Sequence, residues 1–405
     1  MRAAHRIAAA GAALGMVLAL VAGTGSWADA EPEPTGTAPT ATGTVRVEPA
    51  SDQDLAVAAS ARVAAMSIRE KAASVVMGHV PSTDVATLRA YMDSTGIGGF
   101  ILMGANIPES EAALRAVTAA LTMDSAFPPL LAVDQEGGDV SRLPWDTFPS
   151  ALELKHAPPP AAQDAFAARG GLVLRAGIGV NFGIVADETD DTSSFIYRRV
   201  LGTSPDAAAD RVVAAVTGEA AGALSTLKHF PGHGAAPGDS HSGIPSTGMT
   251  KAEWLTADGR PFQAGIDAGA PLLMFGHLAY TAVDSAPASL SAEWHRIARD
   301  ELGFEGVAVT DDLGMLQASG IDAYADPVGN AVAALAAGND VVLAVMFSTA
   351  ESAPRIVDGI VAAVESGALD PERLDEAATR AAALRLGLAA EGRGLLPCAD
   401  CAPAE

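Results

Sequence analysis

Residues 302–315 read LGFEGVAVTDDLGM, and this stretch carries the pattern that decides the fold. Its apolar part, residues 307–310, ends directly in two aspartates, Asp311 and Asp312. The hydrophobicity is continuous rather than alternating, which is typical of a strand covered on both faces, as in a parallel sheet. Seven other short apolar runs bounded by glycine or proline share this pattern, at residues 73–77, 99–103, 130–133, 179–185, 224–227, 272–275 and 341–345.

Helix-forming segments separate the eight runs. Leu114, Val117 and Leu121 follow one another at i, i+3 and i+7, the spacing of one helical face, and residues 331–337 are rich in alanine. Alternating strands and helices predict a single (β/α)8 TIM-like barrel over residues 51–390. An open doubly wound sheet is the alternative, but no Gly-x-Gly-x-x-Gly motif follows an early strand.

A barrel of this kind places its chemistry on the loops that follow the carboxyl ends of the strands. Charged residues directly after a buried run are costly unless they are paired or used, so their position is informative. We therefore expect a functional site at this end of the barrel. The polar residues that follow the third, fifth, sixth and seventh runs are Asp134, Gln135, Glu136, Lys228, His229, His277, Asp311 and Asp312.

The composition narrows the class of protein. The chain has 405 residues, with 25 Lys and Arg against 49 Asp and Glu, which gives a formal net charge of −24 at pH 7. A field of that sign repels a phosphate backbone, so nucleic-acid binding is not expected. Hydrophobic residues make up 49% and charged residues 18%, which excludes intrinsic disorder for most of the chain.

Residues 1–30 have the features of a cleaved signal peptide. Arg2 and Arg6 precede an apolar run, and Ala28-Asp29-Ala30 offers a small-x-small cleavage site. A retained membrane anchor is the alternative, but the run is rich in alanine and glycine and no stop-transfer charges follow it. We therefore expect a secreted mature chain without a membrane span.

Two terminal segments are expected to lie outside the folded part. Residues 31–50 are rich in proline and threonine, which predicts a flexible linker. Residues 391–405 form a tail in which Cys398 and Cys401 are the two cysteines of the chain. Outside the cytosol this spacing favours a small disulfide loop, and a single Cys-x-x-Cys offers too few ligands for a structural zinc.

The segment after the fifth run is rich in chemistry, since KHFPGHG at 228–234 is followed by DSH at 239–241. A metal site is one interpretation, because His229 and His233 have an i, i+4 spacing and Asp239 and His241 could complete the ligands. Pro231 and Gly232 break the helix that this spacing needs. General acid/base chemistry is the second interpretation, in which a carboxylate orients an imidazole. In the third, the histidines only cap and pad the mouth of the barrel.

Four stretches together resemble the glycoside hydrolase family 3 β-N-acetylglucosaminidases. They are KHFPGHG with DSH, DQEGG at 134–138, PASLS at 287–291 and LGFEGVAVTDDLGM, and the resemblance extends over about residues 65–345. It implies that Asp311 is the nucleophile that forms a glycosyl-enzyme intermediate. It also implies that His241 is the acid/base, with Asp239 as its partner in a dyad. The spacing of Asp311 and Asp312 does not itself decide which aspartate serves.

The same resemblance implies that five residues bind the sugar: Asp134, Arg142, Arg199, Lys228 and His229. Two details depart from the family pattern. Asp139 stands where relatives usually have arginine. Arg199 rests on a loose match of RVLG with Arg-Ser-Phe-Gly, and its neighbour Arg198 is the rival. A surface salt bridge is the alternative role of Arg142 and of Arg199.

The implied activity is that of a retaining exo-glycosidase. It would remove terminal β-linked N-acetylglucosamine from peptidoglycan fragments or chitooligosaccharides, with no nucleotide, metal or organic cofactor. About 60 residues follow Val345, too few for a further domain, so we expect the acid to come from the barrel loops and His277 to serve in packing. Phosphorolysis of the same bond and a non-catalytic barrel that binds cell wall are the alternatives.

Overall fold

Eight parallel strands close into a barrel in the computed structural model, which describes residues 51–393. Each strand pairs with the strands before and after it, and the eighth pairs with the first through Val76 and Val342. The predicted (β/α)8 barrel is therefore confirmed. The strands are β1 (Val76–Gly78), β2 (Gly99–Leu102), β3 (Leu130–Val133), β4 (Val180–Val185), β5 (Leu224–Phe230), β6 (Leu272–Phe275), β7 (Val307–Asp312) and β8 (Val341–Leu343).

Helices surround the barrel, and one or more follow every strand. Two short strand pairs lie on its loops, Gln135–Gly137 with Val140–Ser141 and Ser246–Thr247 with Ala279–Tyr280. The α-helices of the described residues are α1 (Asp52–Ala64), α2 (Ile68–Ser74), α3 (Val85–Thr95), α4 (Glu111–Leu121), α5 (Ala151–Leu154), α6 (Pro159–Arg175), α7 (Pro205–Glu219), α8 (Lys251–Thr256), α9 (Gly259–Asp267), α10 (Ala292–Arg296), α11 (Leu313–Ala318), α12 (Pro327–Ala337), α13 (Ser352–Ser366) and α14 (Pro371–Glu391).

The first predicted strand, residues 73–77, is wrong in its first half. Ala73 and Ser74 are the last residues of α2, and β1 begins at Val76. A capping box at Ser67, whose side chain accepts a hydrogen bond from the Glu70 amide, starts this helix. Alanine is the best helix former, and buried alanines pack as well in a helix as in a strand. The apolar run at residues 73–77 therefore includes the end of a helix as well as the start of a strand.

The interior of the barrel explains which side chains reach its mouth. Val307 and Val309 of β7 belong to the cluster that fills the barrel, together with Leu130 and Ala132 of β3. Successive side chains of a strand alternate between faces, so the next inward position on β7 is Asp311. By the same alternation the inward residue after β3 is Asp134 and that at the end of β5 is Lys228. The period of the strand thus directs three charged side chains into the carboxyl end of the barrel.

The predicted signal peptide (1–30), the linker (31–50) and the two cysteines of the tail, Cys398 and Cys401, lie outside the described residues. Between residues 51 and 393, no helix combines the length and the apolar character that crossing a bilayer requires.

Candidate active site

A cavity of about 320 Å³ opens at the carboxyl end of the barrel. Its walls combine polar groups from the strand ends with apolar side chains such as Ile101, Met274 and Leu343. The structure brings seven of the eight predicted site residues to these walls. They are Asp134, Arg142, Arg199, Lys228, His229, His241 and Asp311, and the eighth, Asp239, contacts His241.

The two adjacent aspartates at the end of β7 have different environments. The Asp312 carboxylate accepts hydrogen bonds from three backbone amides, those of Gly314 at 3.0 Å and of Val345 and Met346 at 2.8 Å each. Asp312 therefore caps α11 and ties the loop after β8 to β7. The Asp311 carboxylate accepts a hydrogen bond from the Asp312 amide at 2.8 Å and otherwise faces the cavity. Asp312 also lines the cavity, but its carboxylate oxygens are engaged by these backbone amides, so Asp311 is the carboxylate that is available to a ligand.

His241 and Asp239 form a pair on the long loop after β5. The imidazole Nδ1 lies 2.6 Å from Asp239 Oδ1, and the two side chains are 55% and 46% exposed. Burial by itself raises the pKa of Asp239, but hydrogen bonds from the His241 side chain and backbone outweigh burial and lower it. An ionised carboxylate only accepts hydrogen bonds, so Nδ1 carries the hydrogen and Nε2 is left to exchange a proton with a ligand.

Lys228 is the centre of a buried cluster of charges on the cavity wall. This cluster is suited to binding a ligand rather than to proton transfer. Its ammonium Nζ lies 2.9 Å from Asp134 Oδ1 and 2.6 Å from Glu136 Oε1. Lys228 and Glu136 are each only 2% exposed. A lysine is buried in this way only when carboxylates compensate its charge, so the cluster holds Lys228 and Asp134 at fixed positions on the cavity wall.

Arg198 and Arg199, which follow β4, have different positions: Arg199 lies in the cavity wall and Arg198 lies at the surface. Arg199 makes a two-pronged ion pair with Glu136, with distances of 2.7 and 2.9 Å, and its Nη2 also lies 3.3 Å from His229 Nε2. Arg198 instead pairs with Asp139 at 2.6 Å, and both side chains are exposed. Asp139, the departure from the family pattern, thus binds Arg198 at the surface while Arg199 lines the cavity.

His229 is held by a carboxylate that the sequence analysis did not single out. The His229 ring Nδ1 lies 2.7 Å from Asp187 Oδ2, and Asp187 also accepts the backbone amides of His229 and His233. Asp187 is fully buried, and although burial raises its pKa, the hydrogen bonds and electrostatic interactions with His229 and His233 together outweigh burial and lower it. His229 therefore carries its hydrogen on Nδ1 and directs Nε2 toward Arg199 and the cavity.

The charges of the wall also set the ionisation of its carboxyl groups. Burial by itself raises the pKa of Glu136, but the positive charges of Arg199 and Lys228 outweigh it and lower the pKa to about 2. Burial likewise raises the pKa of Asp311, but its interactions with His229, His277, the Asp312 amide and Lys228 together outweigh burial, so the net direction is downward. Burial raises the pKa of Asp312 to about 6, against its backbone hydrogen bonds. Asp311 is thus ionised at ordinary pH, as a nucleophile must be.

Gln135 lies between Asp134 and Glu136 in the sequence, and its side chain holds the turn that follows. Its buried side-chain oxygen accepts the backbone amides of Arg142 and Leu143 at 2.9 and 2.8 Å, and its nitrogen donates to Asp146. This fixes the turn that carries Arg142, whose Nη2 lies 3.5 Å from Asp134 Oδ2. Arg142 is only loosely paired, so its guanidinium remains available to a ligand.

His277 is buried, as the sequence predicts, and it also makes two hydrogen bonds. It is fully buried, its Nε2 donates to the backbone oxygen of Asp312 at 2.8 Å, and its Nδ1 lies 2.7 Å from the Ser289 hydroxyl. His277 therefore supports the β7 end from behind.

The described residues also bear on the metal interpretation. His229 lies in β5 and His233 in the turn after it, so the two do not share a helical face. Within residues 51–393, no group of three or more His, Cys, Asp or Glu side chains is placed to hold a metal ion.

Three residues of the site were given no role in catalysis or sugar binding, although Glu136 was counted among the polar residues at the strand ends and His233 among the candidate metal ligands. Glu136 follows Asp134 by two positions, so strand alternation would have placed both on one face. Asp187 comes two residues after β4, and the rule that polar residues at strand ends matter would have found it there. His233 lies in the quoted KHFPGHG motif, and its burial in the cavity wall depends on tertiary packing that the sequence does not reveal.

Comparison with known proteins agrees with the geometry. Residues 67–384 match the family described as glycosyl hydrolase family 3 N-terminal domain. The chain is 36% identical over 259 residues to a β-hexosaminidase of Bordetella avium, a match that covers 61% of this chain and 73% of that protein.

Solved structures give the same assignment. A glycoside hydrolase family 3 β-N-acetylglucosaminidase from Paenibacillus superimposes with a TM-score of 0.75 and 30% identity, covering 80% of this chain and 63% of that one. A β-N-acetylhexosaminidase from Beutenbergia cavernae superimposes with a TM-score of 0.67 and 29% identity, covering 81% of this chain and 99% of that one. The fold, the strand-end residues and these matches together show that the chain belongs to glycosyl hydrolase family 3.

Proposed function

We propose that this protein is a retaining β-N-acetylhexosaminidase that removes terminal β-linked N-acetylglucosamine through a covalent intermediate on Asp311. One observation carries the proposal. The Asp311 carboxylate and the His241 imidazole line the same cavity, while the neighbouring Asp312 carboxylate is occupied by three backbone amides. The relatives from Bordetella, Paenibacillus and Beutenbergia are a β-hexosaminidase, a β-N-acetylglucosaminidase and a β-N-acetylhexosaminidase, which supports the activity class.

In the first step an Asp311 oxygen attacks the anomeric carbon while the bond from that carbon to the glycosidic oxygen breaks. The protonated His241 donates its Nε2 hydrogen to the departing oxygen, so the leaving group departs as a neutral alcohol. Asp239 supports this step because a carboxylate hydrogen-bonded to Nδ1 stabilises the imidazolium and fixes the ring.

In the second step the same imidazole, now neutral, accepts a proton from water through Nε2. The water oxygen attacks the anomeric carbon, the bond to Asp311 breaks, and the carboxylate is restored. Two successive inversions give a product with the configuration of the substrate, which is why the activity is written as retaining. A histidine also brings less negative charge near the Asp311 carboxylate than a second acidic residue would.

The buried wall supplies the binding. Lys228, Asp134, Arg142, Arg199 and His229 present charged or polar groups to the cavity. Hydrogen bonds from ionised groups to sugar hydroxyls are the stronger kind, and they tighten as charge develops on the sugar in the transition state. Because Lys228 and Arg199 are already held by Glu136, little reorganisation is required when the sugar binds.

We propose that the natural substrates are peptidoglycan fragments or chitooligosaccharides that meet the protein outside the cytoplasm. The sequence of residues 1–30 supports export, and secretion is part of this proposal. Sequencing the mature amino terminus tests it, with a terminus at Glu31 expected and an uncleaved chain contradicting it.

The activity is tested with a chromogenic N-acetyl-β-glucosaminide. Turnover should give the β-anomer first, which nuclear magnetic resonance detects before mutarotation, and chelator should leave the rate unchanged. Appearance of the α-anomer first would contradict the retaining mechanism. A glycosyl phosphate product on addition of phosphate would show phosphorolysis instead, and complete absence of turnover would favour a binding protein.

A further inference from the structure

The loop after β5 that carries Asp239 and His241 is positioned by its ends. This dyad loop comprises residues 231–245. Within residues 51–393, the hydrogen bonds of the Asp239 and His241 side chains connect these two residues only with each other. The bonds fix the geometry of the pair but not its distance from Asp311. That distance depends on where the backbone of the loop leaves the barrel and where it returns.

Two buried side chains hold the first part of the dyad loop. The Tyr280 hydroxyl donates a hydrogen bond to the backbone oxygen of Gly232 at 2.7 Å. Asp258 Oδ1 accepts a hydrogen bond from the backbone amide of Ala235 at 3.1 Å. Tyr280 is fully buried and Asp258 is 2% exposed. Backbone polar groups that lie out of water are costly to leave unpaired, so these two bonds determine the path of residues 232–235.

The backbone of Tyr280 holds the other end of the same loop. The short strand Ala279–Tyr280 pairs with Ser246–Thr247, with Tyr280 opposite Thr247. The Ala279 amide also donates to the backbone oxygen of Pro245 at 2.9 Å. Tyr280 therefore joins the two ends of the dyad loop, one through its hydroxyl and the other through its strand.

The ring of Tyr280 is fixed by aromatic packing outside the cavity. It meets the Trp294 ring edge to face with centroids 5.3 Å apart, and Trp294 packs on Trp254 at 4.9 Å. Trp254 Nε1 in turn donates to the backbone oxygen of Pro231 at 2.6 Å. Close-packed aromatic side chains have little freedom to move. The core thus sets where the dyad loop begins.

We propose that Tyr280 and Asp258 are positioning residues for the reaction, which hold the dyad loop so that His241 Nε2 reaches the glycosidic oxygen. This inference rests on the proposed function and deepens it, since it assigns the placement of the acid/base to residues that do not line the cavity. A proton passes between heavy atoms at hydrogen-bond distance, and a misplacement of about 1 Å can lower a rate about 10²-fold. A change at the ends of the loop should therefore affect proton transfer before it affects binding.

Tyr280→Phe is the main test, because it removes the hydroxyl and keeps the ring. On N-acetyl-β-glucosaminides with poor leaving groups kcat/KM should fall about tenfold, the equivalent of one hydrogen bond. On a chromogenic substrate whose leaving group needs no proton the loss should be considerably smaller. Tyr91→Phe is the matched control, because the buried Tyr91 hydroxyl in α3 has no hydrogen-bond partner among the described residues. It should change neither value.

A double variant shows whether Tyr280 acts through His241. Once His241→Ala has removed the acid, the addition of Tyr280→Phe should cause no further loss on the poor substrate, because no imidazole is left to position. Hydrogen exchange measured by mass spectrometry gives a readout that needs no activity. Exchange of residues 238–244 should be faster in Tyr280→Phe and unchanged in Tyr91→Phe.

Thermal melting shows whether each variant is folded. If Tyr280→Phe is not folded, Asp258→Ala takes its place, with Asp258→Asn as the rescue, because an asparagine oxygen can still accept the Ala235 amide. The same fall in kcat/KM is expected in Asp258→Ala, and its recovery in Asp258→Asn.

Three outcomes would overturn the inference. The first is an unchanged kcat/KM on poor substrates in a folded variant. The second is an equal loss on both kinds of substrate, which would mean that Tyr280 supports the barrel in general. The third is a further tenfold loss in the His241→Ala background. If the unmodified protein turned over neither substrate, the proposed hydrolase function would fail, and the exchange rates would still decide whether Tyr280 holds the loop.

Discussion

One wall of the cavity is a closed network of buried charges, whereas the loop after β5 carries a carboxylate and an imidazole that face solvent. On the wall, Lys228, Glu136 and Arg199 are joined at 2.6–2.9 Å. On the loop, Asp239 and His241 are about half exposed and contact mainly each other.

The difference separates binding from proton transfer. Removing one partner from a buried ion pair leaves the other charge uncompensated, so the wall is rigid and contributes to folding. An exposed pair contributes little to stability because water screens its charges. The exposed pair can therefore exchange protons at little cost to the stability of the fold, while the wall keeps the sugar in position.

Asp311→Ala should have the largest effect. The variant removes the atom that forms the covalent bond, so kcat should fall by about 10⁴-fold or more, as when other enzymes lose a nucleophile. The chromogenic assay measures the loss. Folding should be retained, because Asp311 lies near the end of β7 and its carboxylate accepts one hydrogen bond, from the Asp312 amide. A variant that kept a tenth of the activity would contradict the assignment.

Lys228→Met tests the wall, because methionine keeps the apolar stem but not the charge. Asp134 and Glu136 would lose their shared cation in a buried position, so the free energy of unfolding should fall by about 3–5 kcal/mol. Urea denaturation measures it. The exposed ion pair of Arg198 with Asp139 is the control, and Arg198→Met should change stability far less. Similar losses in the two variants would show that burial does not distinguish these charges.

His241→Ala tests the loop. Loss of the general acid should lower kcat by about 10²-fold on substrates with poor leaving groups, and considerably less on a chromogenic substrate whose leaving group needs no proton. Stability in urea should stay close to that of the unmodified protein, in contrast to Lys228→Met. Equal losses on both kinds of substrate would count against His241 as the acid.

Glu136 on the wall should contribute to the loss of stability in acid. The pKa of Glu136 is about 2 in the folded protein and 4.5 ordinarily. Its contribution to stability is therefore complete above pH 4.5 and is lost as the pH falls toward 2. In Glu136→Gln the slope of unfolding free energy in that window should decrease by about 1.4 kcal/mol per pH unit at most, the linkage of one proton. Asp139→Asn, at an exposed pair, should change the slope less.

The sequence predicts the barrel well because buried parallel strands leave continuous apolar runs between helical segments. The prediction fails at Ala73 and Ser74, because small residues are compatible with a helix and with a strand. The capping box at Ser67 starts a helix, and these two residues are its end. The prediction also ends β5 too early, at Leu227, although the strand continues through Lys228 and His229 to Phe230. Polar residues at a strand end look like a loop when the cavity they line is not yet known.

The site is predicted less completely, because its details depend on contacts between distant residues. Asp311 and Asp312 are equivalent in sequence, and they differ because Val345 and Met346 donate to Asp312 from another strand end. Arg198 and Arg199 are likewise adjacent, and Asp139 and Glu136 separate them.

The central claim is that Asp311 forms a covalent bond to the sugar while His241 transfers the proton. The most direct test incubates the protein with 5-fluoro-N-acetylglucosaminyl fluoride and identifies the labelled peptide by mass spectrometry. We predict a single glycosyl adduct on Asp311, absent from Asp311→Ala and slower to hydrolyse in His241→Ala. An adduct on Asp312 or any other residue would contradict the account.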